Sequence, residues 1–136
     1  MEDPGLHFYD REIRGAKERI NPVFGLTAED DWPDINGQTL EIIFDHLIST
    51  VSFPFNAEFA MPDREKGGEN ITIIEVHNIV DPDTTEDLEA YGLVCEAADD
   101  RGNFKVPLSE IVIQQDDPNY RLIEDYCVWY WEVKQS

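Results

Sequence analysis

Residues 40–61 read LEIIFDHLISTVSFPFNAEFAM, and their apolar period changes partway along. Leu40, Ile43, Phe44, Leu47, Ile48 and Val51 recur at the spacing of a helix buried on one side. Glu41, Asp45 and His46 fall on its other face. Phe53-Pro54-Phe55 is a turn that ends the helix. From Phe55 the period drops to two. Phe55, Ala57, Phe59 and Met61 alternate with Asn56, Glu58 and Ala60, the pattern of a half-buried strand. A helix therefore feeds directly into a sheet, and the rest of the chain supplies the partners.

Downstream, residues 62–70 are a polar loop containing Gly67-Gly68. Residues 71–80 (ITIIEVHNIV) are dense in β-branched side chains and form a second strand, with a bulge where Ile73-Ile74 breaks the alternation. An acidic loop, 81–90 (DPDTTEDLEA), leads to a third strand over 91–98. A tight turn over 99–103 has Gly102 and Asn103 available for positive φ. A fourth strand covers 104–106, a 3₁₀ turn 107–110 and a fifth strand 111–113. Asp117-Pro118 opens a final helix over 118–131 that carries Leu122, Ile123, Tyr126, Cys127, Trp129 and Tyr130. The cluster Trp129-Tyr130-Trp131 reads as helix-to-sheet packing rather than a ligand platform. Upstream, residues 9–19 form a short charged surface helix, and 21–37 form a loop punctuated by Pro22, Gly25, Pro33 and Asn36-Gly37. The fold class is α+β: a small five-stranded antiparallel open barrel of Src-homology-3 type, flanked by an N-terminal helical region and a C-terminal helix. The 136 residues make a single domain, with 1–39 an extension and 40–131 the core.

Thirty acidic residues face ten basic ones, a formal charge of −20. That excess argues against nucleic acid and anionic membranes, which need a basic surface. The charge is unevenly placed. Residues 1–24 hold five acids and four bases, but Arg19 to Arg64 encloses eight acids and no base, and Lys66 to Arg101 encloses ten acids and no base. Met1 to Gly5 has neither basic nor apolar leader features, and no apolar run nears 18 residues, so no secretory leader is expected and the expected location is the cytoplasm. Cys95 and Cys127 lie in apolar stretches without a Cys-x-x-Cys pair and read as buried, reduced thiols. His7, His46 and His77 bear no periodic relation to a Cys or Ser, and no nucleophile elbow, phosphate loop or zinc-protease motif occurs. No enzyme activity is expected.

The chemistry these acids suit is cation binding. Calcium takes six to eight oxygens, mostly carboxylates and backbone carbonyls in a turn. Asp81, Asp83, Glu86 and Asp87 place four carboxylates in one short loop. It is not an EF-hand, because Glu86 stands where the Gly belongs and Gly92 where the bidentate Glu belongs. Aligning Gly37 instead puts Trp32 first and Ile43 twelfth, which fails too. Asp99 and Asp100, with Asn103, form a second group. Extended, residues 91–98 span roughly 27 Å, so the two groups cannot share an ion. The loop with Asp63, Glu65 and Glu69 is expected at the Asp99 end, and Glu110 near the Asp81 end. Ordinary solvated loop acids are the alternative to a specific site.

The order of several pieces resembles a known family. Val51-Ser52-Phe53-Pro54-Phe55-Asn56-Ala57 follows the apolar helix. Tyr91-Gly92-Leu93-Val94, Val106-Pro107-Leu108-Ser109-Glu110-Ile111 and Ile123-Glu124-Asp125-Tyr126 with Trp129-Tyr130-Trp131 come after it. Over about residues 40–131 the chain resembles the CcbP-type calcium-binding proteins, small acidic proteins of cyanobacteria and other bacteria. The resemblance implies a soluble cytoplasmic protein that binds and buffers calcium through surface acids, without enzyme activity. It also sets residues 81–87 where that family has an acidic loop between its middle strands. The leading expectation is a monomeric, non-enzymatic calcium-binding protein, with Asp81, Asp83, Glu86 and Asp87 as first ligands and Asp99 and Asp100 as second. One alternative is an acidic interaction module, pairing with a basic protein or mimicking nucleic acid. The other is a halophile-type acidic domain with no specific ion site.

Overall fold

Helix α2 (Gly37–Thr50) begins where a capping box ends the preceding loop. The Asn36 side chain accepts from the Thr39 amide at 2.9 Å, and the Thr39 hydroxyl accepts from the Asn36 amide at 3.0 Å. Of the expected apolar stripe, Leu40, Ile43 and Leu47 are fully enclosed, Val51 is buried and Phe44 partly so, whereas Ile48 is 38% exposed. The computed structural model describes residues 13–62, 67–84 and 91–135. Before α2, residues 13–20 form helix α1, followed by a 3₁₀ turn over Asn21–Phe24.

The sheet consists of β1 (Phe55–Pro62), β2 (Glu69–Ile79), β3 (Val94–Asp99), β4 (Gly102–Pro107) and β5 (Ile111–Val112). Its order is β4-β3-β2-β1-β5, antiparallel throughout and open rather than closed. Helix α3 (Tyr120–Gln135) follows β5. One face of the sheet carries Phe55, Ala57, Ile74, Val76, Cys95, Ala97 and Val106 into a core shared with the helices. Ile71, Ile73 and Val112 lie on the other face, in solvent. The α+β class with five antiparallel strands and flanking helices is therefore the observed one.

Four local readings change. The bulge lies at His77, not at Ile73-Ile74: Val76 pairs with Ala97, then the register jumps to Asn78 opposite Glu96. Ile74 is buried while Ile73 is 68% exposed, so alternation holds through that pair at the cost of a solvated isoleucine. The extra residue at His77 lets both Val76 and Ile79 reach the core. The third strand begins at Val94, because Gly92 takes φ +68° and breaks the extended run. The last helix begins at Tyr120, not at 118. Asp117 closes the turn before it, its carboxylate accepting from the Asn119 amide at 2.7 Å. Asn119 then bonds both the amide and the carbonyl of Ser52, each at 2.9 Å, fastening the entry of α3 to the exit of α2.

The fourth change concerns the N-terminal region. Part of the expected surface helix, residues 9–12, lies outside the described residues. The described part, α1, buries Ala16 and Ile20. Arg19 meets the buried Asp125 of α3 through two bonds, at 2.7 and 2.9 Å. In the loop that follows, the fully buried Asn21 donates to the carbonyls of Thr27 and Asp30. Trp129 is buried, its indole N–H donating to the Pro33 carbonyl at 2.9 Å, which agrees with a packing role.

Candidate metal centre

Asp81 and Asp83 leave the sheet together at the end of β2. Val80 still pairs, its amide donating to Val94 at 2.7 Å. A 3₁₀ turn over Pro82–Thr84 then begins, with Pro82 buried as its anchor. The Asp81 carboxylate accepts from the Asp83 amide at 3.0 Å, which fixes the turn. Both acids are exposed. Glu86 and Asp87 lie outside the described residues. Glu110 belongs to the 3₁₀ turn Leu108–Glu110, and the Leu108 amide bonds the Leu93 carbonyl at 2.8 Å. That bond puts Glu110 at the Asp81 end of β3, as expected. Glu110 also acts on Tyr130: burial raises this phenol above its ordinary range, and the charge of Glu110 adds to the effect.

Asp99 and Asp100 sit at the opposite end, in the turn between β3 and β4. The strand is shorter than its expected span, and its five residue steps cover about 17 Å. The two acidic groups remain apart. Asp99 is already engaged. One oxygen accepts from the Arg101 amide at 2.7 Å, and the other accepts from Nε of Arg101 at 3.0 Å and from its Nη2. The side-chain bonds from Arg101, aided by its amide, hold the Asp99 carboxyl below the usual carboxylate range. Asp100 is exposed beside it.

The β1–β2 hairpin does reach toward the Asp99 end, but it overshoots. β3 meets β2 only from Glu75, while β2 runs back to Glu69 against Pro62. The strand ends at Pro62 and Glu69 are thus set off from Asp99 by about 17 Å of strand. Asp63 and Glu65 lie outside the described residues. Among the described residues, no three acidic, histidine or cysteine side chains converge closely enough to hold a metal ion. Cys95 and Cys127 are buried free thiols, and burial pushes both well above the usual thiol range, which makes them poor ligands.

A further group of oxygens escapes the sequence reading. Asn56, Glu58, Gln114, Asp116 and Asp117 line a cleft of about 340 Å³, together with Ile73 and Val112. It forms because β5 pairs with β1, placing Glu58 opposite Val112. The sequence signal is faint: an outward Glu in one strand and a polar run, Gln114 to Asp117, more than fifty positions later.

Three comparisons bear on these residues. A family model described as calcium binding, Calci_bind_CcbP, matches residues 38–130. The crystal structure of Anabaena CcbP shares the fold at 18% identity and a TM-score of 0.51, covering 72% of this chain and 77% of that one. A calcium-binding protein in its calcium-binding form shares it at 20% identity and a TM-score of 0.60, covering 88% and 91%. No curated protein matches the sequence significantly. Among the described residues, no helix is long and apolar enough to cross a membrane.

Proposed function

The chain belongs to the CcbP family of calcium-binding proteins, and from that premise we propose that it binds calcium through surface carboxylates and buffers it without catalysing a reaction. The family match over residues 38–130 carries this reading. The −20 charge supports it, because such a surface gathers cations and repels nucleic acid and anionic membranes. The same reading places it in the cytoplasm as a monomer.

The first site is the loop of Asp81, Asp83, Glu86 and Asp87. The turn at Asp81 leaves two carboxylates exposed on a backbone anchored by buried Pro82, a suitable start for a flexible oxygen shell. Such a shell favours calcium, which tolerates irregular coordination, over magnesium, which demands an octahedron. Asp99 and Asp100 form the second site, of lower affinity, because calcium there has to displace the guanidinium of Arg101 from Asp99.

Calorimetric titration with calcium at about 150 mM KCl, with magnesium as control, tests this. Saturable calcium binding, weak for magnesium and lost in Asp81→Asn/Asp83→Asn, is the expected result. Loss only in Asp99→Asn/Asp100→Asn would move the main site to the other end of β3. Weak heats equal for both ions and unchanged in both double variants would reduce the acids to a counter-ion atmosphere and overturn the reading.

A further inference from the structure

We propose that the outward face of the sheet around Glu58 docks an arginine-bearing segment of a basic partner protein. Strand register assembles this face. Glu58 of β1 stands opposite Ile73 of β2 on one side and Val112 of β5 on the other. The two aliphatic residues thus sit on strands about 10 Å apart, with the glutamate between them. Ile71, two positions from Ile73 and on the same face, extends the apolar surface. Ile71, Ile73 and Val112 are 71%, 68% and 62% exposed. A single exposed aliphatic is ordinary, but three on one face around a shaped cleft mark a contact surface.

The cleft gives this face depth. Its volume of about 340 Å³ is at the low end for ligand sites, the scale of a long side chain rather than a whole cofactor. Glu58, Asp116 and Asp117 bring carboxylates to it, and Ile73 and Val112 bring aliphatic walls. It runs on past Gln114 toward Tyr120 and Glu124 of α3. Its far wall is held in place. The Asp117 amide donates to the Gln114 carbonyl at 3.0 Å, one Asp117 oxygen accepts from the Asn119 amide, and Asn119 is fastened to Ser52. A wall fixed before binding lowers the ordering cost of association.

Charge selects the occupant. Elsewhere on this face the acids have basic neighbours of the protein's own: Lys105 stands opposite Glu96, and His77 lies 3.3 Å from Glu75. Glu58 has an isoleucine and a valine as cross-strand neighbours instead, and among the described residues no Lys, Arg or His lines the cleft. The guanidinium of Arg121 lies over the Tyr120 ring, 5.6 Å from its centre. An arginine matches the cleft part by part. Its methylenes lie along Ile73 and Val112, and its planar fork meets carboxylates two bonds at a time. Apolar neighbours of that arginine in the partner then cover Ile71, which a small free cation would leave in water. A second copy fits less well, because it sets −20 against −20.

The probe is a labelled peptide of about eight residues with two arginines among leucines, titrated with the full chain by anisotropy in EDTA and about 150 mM KCl. EDTA keeps the result independent of the calcium reading, and the salt screens diffuse attraction. Saturable binding is expected, weakened about tenfold in Glu58→Gln/Asp116→Asn and by a similar factor in Ile73→Ser/Val112→Ser. Glu41→Gln/Asp45→Asn removes the same charge from the exposed side of α2 and is expected to bind within about twofold of wild type. Circular dichroism checks that each variant folds. A peptide with citrulline, the neutral isostere, in place of arginine leaves the protein untouched and is expected not to bind. Equal losses in the Glu58 and Glu41 pairs, a citrulline peptide that binds as well, or no saturable binding at all would overturn the proposal. Spermidine binding as tightly as the peptide would make the occupant a small organic cation, and sedimentation showing two copies joined through this face would make it a second copy; either overturns the choice of partner.

Discussion

Gly92 ties more of the molecule together than any acid in the candidate site. Its φ of +68° is a conformation that other residues adopt only with strain. A Cβ there would stand 2.5 Å from the Tyr126 hydroxyl and 2.7 Å from the Tyr130 ring. The same Tyr126 hydroxyl accepts from the Leu93 amide at 2.8 Å, and the Leu93 carbonyl accepts from Leu108. One position thus joins the start of β3, helix α3 and the turn bearing Glu110. Gly92→Ala is expected to cost about 2–4 kcal/mol, from strain plus overpacking, in a urea unfolding curve. Gly25→Ala, at φ +77° with nothing within 4 Å, isolates the strain and is expected to cost about 1 kcal/mol. Equal losses would mean that the tyrosines simply move aside. None of this is legible in Tyr91-Gly92 itself, which reads as strand, because the clash partners lie more than thirty positions away.

At the scale of elements, local chemistry explains most boundaries. Helix α2 announces itself twice, by its apolar stripe and by Asn36 and Thr39 at capping-box spacing. Asn36→Ala is expected to lower stability by about 1 kcal/mol, with Asn36→Asp near wild type, since an aspartate oxygen can take the same Thr39 amide. Denaturant midpoints of the three proteins decide it; an Ala variant equal to wild type would show that tertiary packing alone holds the start of the helix. The strands were legible from their period, but the bulge was not. Two adjacent isoleucines are compatible with a bulge or with one residue left in water, and only pairing with β3 moves the bulge to His77. Likewise Asp117 is a good cap by composition, yet the helix waits until Tyr120 because Asn119 is taken by Ser52.

For the whole molecule the decisive quantity is charge. At −20, self-repulsion opposes the compact state, while the Arg19–Asp125 pair and the core oppose unfolding. The midpoint of thermal unfolding in EDTA is therefore expected to rise by several degrees between about 20 and 300 mM KCl. At constant ionic strength, calcium is expected to raise it further and magnesium to add much less, since only a site-bound ion stabilises by mass action. If calcium and magnesium act alike at matched ionic strength, the stabilisation is screening and nothing more.

The sequence by itself determined the class of the fold, the helix feeding the sheet, the excess of acidic residues, and the family. These follow from period, composition and short motifs, all of which act locally. Tertiary structure decided which acids stand together. It placed Asp81 and Asp99 at opposite ends of β3, gave Asp99 to Arg101 and built the cleft at Glu58 from strands distant in the chain. Those outcomes depend on register and strand order, and a shift of one residue would turn every side chain of a strand to the other face.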